Sequence, residues 1–284
     1  MKIFIPGGTG FLGSHVAPLL ASRGHKVISA GRSPKADVYL DATSVSAEEL
    51  RQLLSKIQPE ATLNLVGSGL SDSTAAWPEL VEVNSAWPAT LAQALRDSTD
   101  SSLIHAASST ELLTSENGHY ESAYSHSRAA GTQALQEVQW KSTESITVAY
   151  VHNTFGPEQP PRRLIKWIVN NTLAETPFHL AYPDRVRDFI YIDDVAESIS
   201  QLVEGGETLD RVHIGTGHGT SLRALAHMVA DLTGCDAALM TEDSPVQDPF
   251  AVSIADPALL QRIATIALED GLSHVIAAVR KGVE

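Results

Sequence analysis

Cysteine and long apolar runs are scarce in this chain of 284 residues. Cys235 is the single cysteine, so no disulfide can form within the chain and a reducing compartment is expected. We expect Cys235 to be a small buried residue at the end of a helix. No run of ~18 apolar residues is present that could span a membrane. The apolar stretch that ends at Ile5 is too short for a signal peptide, so a cytoplasmic location is expected.

Positive charge is also scarce. The sequence has 20 Lys and Arg against 34 Asp and Glu, a formal net charge of −14. A surface this acidic repels nucleic acid and anionic membranes, so neither is expected as a partner, although a local basic pocket can still bind phosphate. The 11 histidines show no metal-ligand spacing, and no metal site is predicted. No G-x-S-x-G segment supports a hydrolase.

Short apolar runs alternate with helical patterns through residues 1–151. This alternation predicts βαβ units and a parallel sheet whose two faces are both covered by helices. The predicted strands are Lys2 to Pro6, Lys26 to Ala30, Asp37 to Leu40, Ala61 to Gly67, Ser102 to Ser108 and Ile146 to Val151. The predicted helices are Phe11 to Ser22, a segment from the capping box Ser46-x-x-Glu49 to Ile57, Leu80 to Arg96, and Tyr124 to Trp140.

The rhythm changes after Val151. Residues 152–284 are predicted to form a smaller α/β substrate-binding lobe, interleaved with the first domain because some of its strands and helices return there. Its predicted helices are Leu164 to Leu173, a helix capped by Asp193 that runs to Val203, and Leu222 to Thr233. Its predicted strands are Phe189 to Ile192 and Val212 to Gly215, and Pro177 to Asp188 is expected to be irregular. Asp193 and Asp194 are expected to cap a helix.

A glycine-rich loop lies between the first strand and the first helix. In the spacing Gly7-x-x-Gly10-x-x-Gly13, the first glycine permits a tight turn, the second lets backbone approach a pyrophosphate, and the third lets helix and strand pack closely. The helix N-terminus offers free N–H groups and a positive dipole end to the phosphates. The predicted fold class is therefore α/β with a Rossmann-type doubly wound parallel sheet. The loop residues predicted to bind cofactor are Gly7, Thr9, Gly10, Phe11, Leu12 and Gly13.

The end of the second strand normally sets the choice between NAD and NADP. A carboxylate there binds the ribose hydroxyls of NAD, whereas an arginine accommodates the 2′-phosphate of NADP. This chain has Gly31-Arg32-Ser33, in which Arg32 can pair with a phosphate and Ser33 can donate a hydrogen bond. NADP(H) is therefore the preferred prediction, with NAD(H) as the alternative if Arg32 is only a solvated loop charge.

Further motifs run across nearly the whole chain. They are Gly7 to His15, Asp41, Val83-Asn84, Ser108-Ser109-Thr110, Tyr124 to Gly131, Asn153 to Pro157, and Arg187 to Val195. With these motifs the sequence resembles the extended short-chain dehydrogenase/reductases, specifically the NAD(P)-dependent nucleotide-sugar epimerase, dehydratase and reductase group. The segment from Arg187 to Val195 carries the resemblance to sugar-nucleotide members most specifically.

The resemblance implies a catalytic Ser/Thr, Tyr and Lys. It places Thr110 as the hydroxyl and Tyr124 as the acid/base, but the family pattern Y-x-x-x-K ends here in Arg128. A phenol with an unperturbed pKa of about 10 needs a nearby cation to work near neutral pH, and residues four apart share a helix face. Arg128 therefore serves in place of lysine, supports reduced activity, or marks a chain that binds cofactor without turnover. The first interpretation is preferred.

The remaining site residues are assigned by the same resemblance. Those implied to contact cofactor are Asp41, Val66, Gly67, Asn84, Val151, Tyr124 and Arg128. Those implied to contact a nucleotide-diphosphate sugar are Ser109, Glu111, Asn153, Arg162 and Arg187, with a solvated position as the alternative for Glu111 and Arg162 and a salt bridge to Asp184 or Asp188 as the alternative for Arg187. A homodimer is also implied.

Three functions follow from these features. Dehydratases of the group carry Asp-Glu after the Ser/Thr, whereas Thr110 is followed by Glu111-Leu112, which argues against dehydration. NADP(H) favours net reduction, so the preferred function is NADPH-dependent reduction of a nucleotide-activated 4-keto-6-deoxyhexose, with hydride added to C4. A nucleotide-sugar epimerase is the alternative, and a non-catalytic NADP(H)-binding regulator is the alternative of another class.

Overall fold

A computed structural model describes residues 1–69, 76–140, 146–205, 209–235, 240–242, 248, 250–262 and 264–282. The strands are β1 Lys2–Pro6, β2 Lys26–Gly31, β3 Val38–Tyr39, β4 Ala61–Asn64, β5 Ser102–Ser108, β6 Ile146–Val151, β7 Asn153–Phe155, β8 Phe178–Leu180, β9 Val186–Arg187, β10 Phe189–Tyr191, β11 Arg211–Ile214, β12 Thr220–Ser221, β13 Met240–Glu242 and β14 Val252–Ser253. The helices are α1 Gly13–Ser22, α2 Ala47–Ile57, α3 Trp77–Leu80, α4 Trp87–Ser98, α5 Ala123–Trp140, α6 Leu164–Leu173, α7 Ile192–Gly205, α8 Leu222–Thr233 and α9 Leu268–Arg280.

Seven strands form the main sheet in the order β11-β6-β5-β4-β1-β2-β3. From β3 to β6 every neighbouring pair is parallel. The strand order reverses beside β1, and ligands of such sheets bind at the carboxyl ends of the strands at this reversal. The predicted Rossmann-type doubly wound sheet is confirmed, and it places the loop after β1 at that position.

The helices that cover this sheet form largely where the sequence predicts them. Ser46 and Glu49 make the predicted capping box at the start of α2, and Gly24 follows α1 with a φ of +86°, the left-handed conformation that glycine adopts easily. The core contains Phe4, Leu50 and Trp87, all at most 2% exposed.

The predicted helix from Leu80 to Arg96 is interrupted. Helices α3 and α4 are joined by a π-helix over Val81–Ala86. Pro88 has no amide hydrogen to donate to the carbonyl of Asn84 four residues earlier, and its ring crowds that carbonyl, so the α-helical pattern cannot continue there. A Cβ at Gly131 would lie 1.9 Å from this Asn84 oxygen, so α5 packs on the π-helix only through a glycine.

The chain contacts cluster into two units. The first comprises Met1–Leu112, Tyr120–Val151 and Ala196–Val212, and the second comprises Leu113–His119, His152–Val195 and His213–Glu284. The division into domains 1–151 and 152–284 stays a prediction. Part of the chain after residue 151, Ala196–Val212, clusters with the first unit.

Short strands in the second unit correct one prediction. The segment from Pro177 to Asp188, expected to be irregular, contains β8 and β9. Strand β8 pairs with β13, while β9 pairs with β12 and β14. These partner strands lie far along the chain, so the local sequence alone does not predict β8 and β9.

Two further predictions about the second unit are wrong. Helix α7 begins at Ile192, so Asp193 and Asp194 lie in its first turn and do not precede it. The Asp194 carboxylate instead accepts hydrogen bonds from Arg262 and from the backbone amides of Thr265 and Ile266. Cys235 is only partly buried, just beyond α8.

Within the described residues, none of the helices has both the length and the apolar character needed to cross a membrane.

Candidate functional site

The loop after β1 has a shape that requires glycine at two positions. Gly7 has a φ of +82°, and a Cβ there would lie 2.7 Å from the carbonyl carbon of Leu65. A Cβ at Gly13 would lie 2.5 Å from the backbone of Gly8. Backbone atoms cannot move aside as a flexible side chain can, so Gly7 lets the loop pack against the segment after β4 and Gly13 lets the start of α1 pack against the loop.

A cavity of about 330 Å³ lies beside this loop at the carboxyl ends of β1, β2 and β4. This volume is within the usual range of small-molecule sites. Of the residues predicted to bind cofactor, those that line it are Gly7, Thr9, Gly10, Arg32, Ser33, Asp41, Val66 and Gly67. Sequence reasoning missed Ala30, Gly31, Leu40, Ala42, Thr43, Leu65, Ser68 and Val83, which complete the lining. Most of these residues lie beside the predicted ends of the strands, and this position in the sequence could have identified them.

Arg32 and Asp41 give the cavity opposite charges. Arg32 is exposed, so its guanidinium is open to an incoming phosphate. One Asp41 carboxylate oxygen accepts hydrogen bonds from the amide and the hydroxyl of Thr43, at 3.0 and 2.9 Å. The hydrogen bond from the Thr43 amide lowers the pKa of Asp41 most. The hydrogen bond from the Thr43 hydroxyl and the positive charge of Arg32 lower this pKa further, whereas burial raises it. Asp41 is therefore a fixed anion near Arg32.

The predicted catalytic hydroxyl and phenol both lie in the first unit. Thr110 belongs to a 3-10 helix over Ser109–Leu112 that directly follows β5, and its Oγ1 lies 2.9 Å from the hydroxyl of Ser108. Ser109 beside it is buried. Tyr124 lies in the first turn of α5 and is partly exposed. The turn after β5 and the start of α5 thus carry the two residues.

Arg128 is enclosed by protein groups. It is 4% exposed, and its Nε donates to Glu111 Oε1 at 3.3 Å. Its Nη1 donates to the carbonyl of Val66 at 3.1 Å, and its Nη2 donates to the carbonyl of Ala106. The guanidinium thus points toward the sheet, and its contact with a cofactor ribose stays a prediction.

Glu111 is the buried counter-ion of Arg128. Its second carboxylate oxygen accepts a 2.6 Å hydrogen bond from Thr132, and its first accepts a 2.7 Å bond from the amide of Ser108. The side chain is 2% exposed. This burial argues against both alternatives considered for Glu111, substrate contact and a solvated position.

Other predicted cofactor residues lie outside the lining of the cavity. Asn84 is fully buried, and its amide group bonds the backbone of Ser68 and the hydroxyl of Ser127. It thereby fixes Ser68, which lines the cavity. Phe11 and Leu12 precede α1, and Val151 ends β6. Direct contacts of these residues with a cofactor stay predictions.

Three of the residues predicted to contact the nucleotide-diphosphate sugar belong to the second unit. Asn153 begins β7, and Arg162 is exposed before α6. Arg187 is 5% exposed, and its Nη1 donates to the carbonyls of Val186 and Phe250 at 2.8 and 2.9 Å. One suggested partner, Asp184, pairs with Arg223 instead.

Sequence reasoning missed a buried polar cluster in the second unit. His152 Nε2 lies 3.3 Å from His213 Nδ1. Asp188 is fully buried, and its carboxylate accepts hydrogen bonds from Thr216, Gly217 and Ala255. Burial lowers the pKa of His152 to about 4, although Asp188 opposes this shift and His213 adds to it. His152 is therefore neutral at pH 7.

No group of three or more His, Cys, Asp or Glu side chains that could hold a metal occurs in the part of the chain that the structure describes.

The parallel sheet, the glycine loop and the adjoining cavity define a dinucleotide-binding protein. Residues 3–215 match the model of the NAD dependent epimerase/dehydratase family, and the chain belongs to that family. The resemblance identified from the sequence is therefore confirmed at the level of the family.

Comparison with individual proteins agrees with this assignment. The chain is 25% identical over 300 residues to dTDP-glucose 4,6-dehydratase 1 of Escherichia coli, covering 89% of this chain and 81% of that protein. The structure of UDP-glucose 4-epimerase of Thermotoga maritima with UDP-glucose has a TM-score of 0.84 at 22% identity and covers 100% of both chains. The structure of the Thermus thermophilus UDP-glucose 4-epimerase complex with NAD has a TM-score of 0.78 at 20% identity, and the match covers 99% of both chains.

Proposed function

We propose that this chain reduces a nucleotide-activated 4-keto-6-deoxyhexose with NADPH. The observation that carries the proposal is that Arg32 lines the dinucleotide cavity directly after β2. A guanidinium there matches a 2′-phosphate. NADP(H) is thus the preferred cofactor, with NAD(H) accepted less well. Reduction consumes NADPH from the pool, whereas epimerisation returns its cofactor to the starting oxidation state, so this preference supports net reduction.

The residues of the first unit fit such a dinucleotide. Gly10 lines the cavity, and a Cβ there would meet only the carbonyl oxygen of Gly7, at 3.3 Å, so a pyrophosphate can approach the backbone of the loop. When bound, NADPH supplies the hydride that adds to C4 of the sugar. The Tyr124 hydroxyl then donates its proton to the C4 oxygen, while the Thr110 hydroxyl donates a hydrogen bond to that oxygen. Ser109, Asn153, Arg162 and Arg187 are proposed to contact the nucleotide-diphosphate sugar, and the chain is proposed to form a homodimer.

A nucleotide-sugar epimerase is the second candidate. The family model is described as epimerase/dehydratase, and the Thermotoga maritima UDP-glucose 4-epimerase matches the full length of this chain. The two candidates differ in whether dinucleotide is consumed. Glu111-Leu112 in place of an Asp-Glu pair after Thr110 continues to argue against a dehydratase.

The test is a panel of nucleotide-activated 4-keto-6-deoxyhexoses with NADPH oxidation followed by absorbance. Stoichiometric oxidation that depends on the sugar supports the reductase. Interconversion of nucleotide-sugar epimers without net oxidation identifies the epimerase. NADPH binding without turnover of either kind would overturn both and leave the regulator, for which the enclosed Arg128 would be the explanation.

A further inference from the structure

The buried pair of Glu111 and Arg128 lies where two parts of the predicted active site meet. The residues are 17 positions apart, and their side chains are 2% and 4% exposed. Glu111 also receives the amide of Ser108, the last residue of β5. The carboxylate therefore anchors the start of the turn that carries Thr110.

Arg128 joins this turn to the wall of the dinucleotide cavity. Its Nη1 donates to the carbonyl of Val66, and a Cβ at Gly67 would lie 3.2 Å from the same nitrogen. Val66 and Gly67 both line the cavity. Its Nη2 donates to the carbonyl of Ala106 in β5. The planar guanidinium thus bridges the segment after β4, strand β5 and Glu111, which the point charge of a lysine cannot do with the same geometry.

We infer that Glu111 is a positioning residue that acts through Arg128 to set the cavity wall at Val66 and Gly67 for dinucleotide binding. A buried guanidinium needs a counter-ion and filled hydrogen bonds to stay in place. Glu111 supplies both, so its loss releases Arg128 from the Val66 carbonyl. The inference rests on the proposed function only in taking a nicotinamide dinucleotide as the ligand.

The test is a double-mutant cycle on the affinity for NADPH and NADH, measured by calorimetry on folded protein. Glu111→Gln keeps the shape and removes the charge, Glu111→Asp keeps the charge, and Arg128→Met removes the cation. Glu197→Gln is the matched control, because Glu197 forms an ion pair with Arg23 in the same unit. Tm is measured on every variant, because a purely structural role lowers Tm without changing Kd of the folded chain.

We expect Glu111→Gln to raise Kd about tenfold or more and Glu111→Asp to recover part of that loss, but not all of it. The Glu197→Gln control leaves Kd unchanged. In the Arg128→Met background, Glu111→Gln changes Kd by less than about twofold, since the residue through which it acts is gone.

Two results overturn the inference while leaving the proposed function intact. One is a Glu111→Gln chain that binds both dinucleotides as the wild type does, and the other is an effect of equal size with and without Arg128. If Glu111→Gln does not fold, Glu111→Asp decides, because a carboxylate drawn back by one methylene must weaken binding if position matters. A wild-type chain that binds neither dinucleotide would overturn the proposed function itself.

Discussion

Replacing Glu111 by glutamine leaves a buried guanidinium without its counter-ion. The wild-type carboxylate receives three donors, from Arg128, Ser108 and Thr132. The glutamine amide has the same shape and can still accept from Ser108, but it carries no charge to balance Arg128. The change therefore isolates the charge of the pair from its packing.

The burial of the pair sets the size of the effect. Both side chains are at most 4% exposed, so solvent cannot replace the lost carboxylate. Removing one partner of a buried ion pair costs about 3–5 kcal/mol. For a chain of this length each kcal/mol corresponds to roughly 2–4 °C in Tm, so a decrease of about 6–20 °C is expected.

Urea unfolding followed by circular dichroism measures this effect, with thermal unfolding in parallel. Glu197→Gln is again the control, because its side chain and that of Arg23 are 27% and 28% exposed and partly exposed pairs contribute little. A decrease of less than about 1 kcal/mol for Glu111→Gln, the scale of a surface pair, would refute the assignment of a buried, charge-balanced pair.

Gly13→Ala should abolish dinucleotide binding, since the new Cβ meets backbone at 2.5 Å. Gly205→Ala, whose Cβ meets open space without a left-handed φ, should leave calorimetric affinity unchanged, and equal effects of the two changes would contradict this. His152 titrates at about 4 in the folded chain against an ordinary 6.5, so its contribution to stability is complete above about pH 6.5 and falls below it by up to about 1.4 kcal/mol per pH unit. Urea unfolding from pH 7.5 to 5 should show this slope, and His152→Gln should reduce it; an unchanged slope would contradict the assignment. Tyr124→Phe should abolish turnover with unchanged NADPH affinity, and turnover at the wild-type rate would remove Tyr124 from the mechanism.

The features predicted correctly from the sequence are those that depend on local pattern. Helices α6 and α8 begin and end at the residues that the sequence pattern predicts. The glycine loop is equally local, because its turn and close approaches are encoded within a few residues. The parallel sheet followed from the alternation of buried strands with helices.

Most of the features that were missed depend on partners far along the chain. Strand β8 is three residues long and pairs with β13 about sixty positions later, so its own sequence carries little signal. Helix α9 was not predicted either, although Glu269 and Asp270 in its first turn and Arg280 in its last are local signals that were available. The pairing of Glu111 with Arg128 depends on the conformation of the turn after β5. The separation of the two residues in the sequence does not predict it.

Calorimetric titration of the wild-type chain and of Arg32→Ala with NADPH and NADH measures whether Arg32 makes this family member prefer NADP(H). The charge-assisted bonds of a 2′-phosphate to Arg32 contribute about 1.4 kcal/mol or more, so NADPH should bind at least ~10 times more tightly than NADH to the wild type. Arg32→Ala should lose this preference while keeping its affinity for NADH. Equal or reversed affinities in the wild-type chain would show that Arg32 does not select NADP(H).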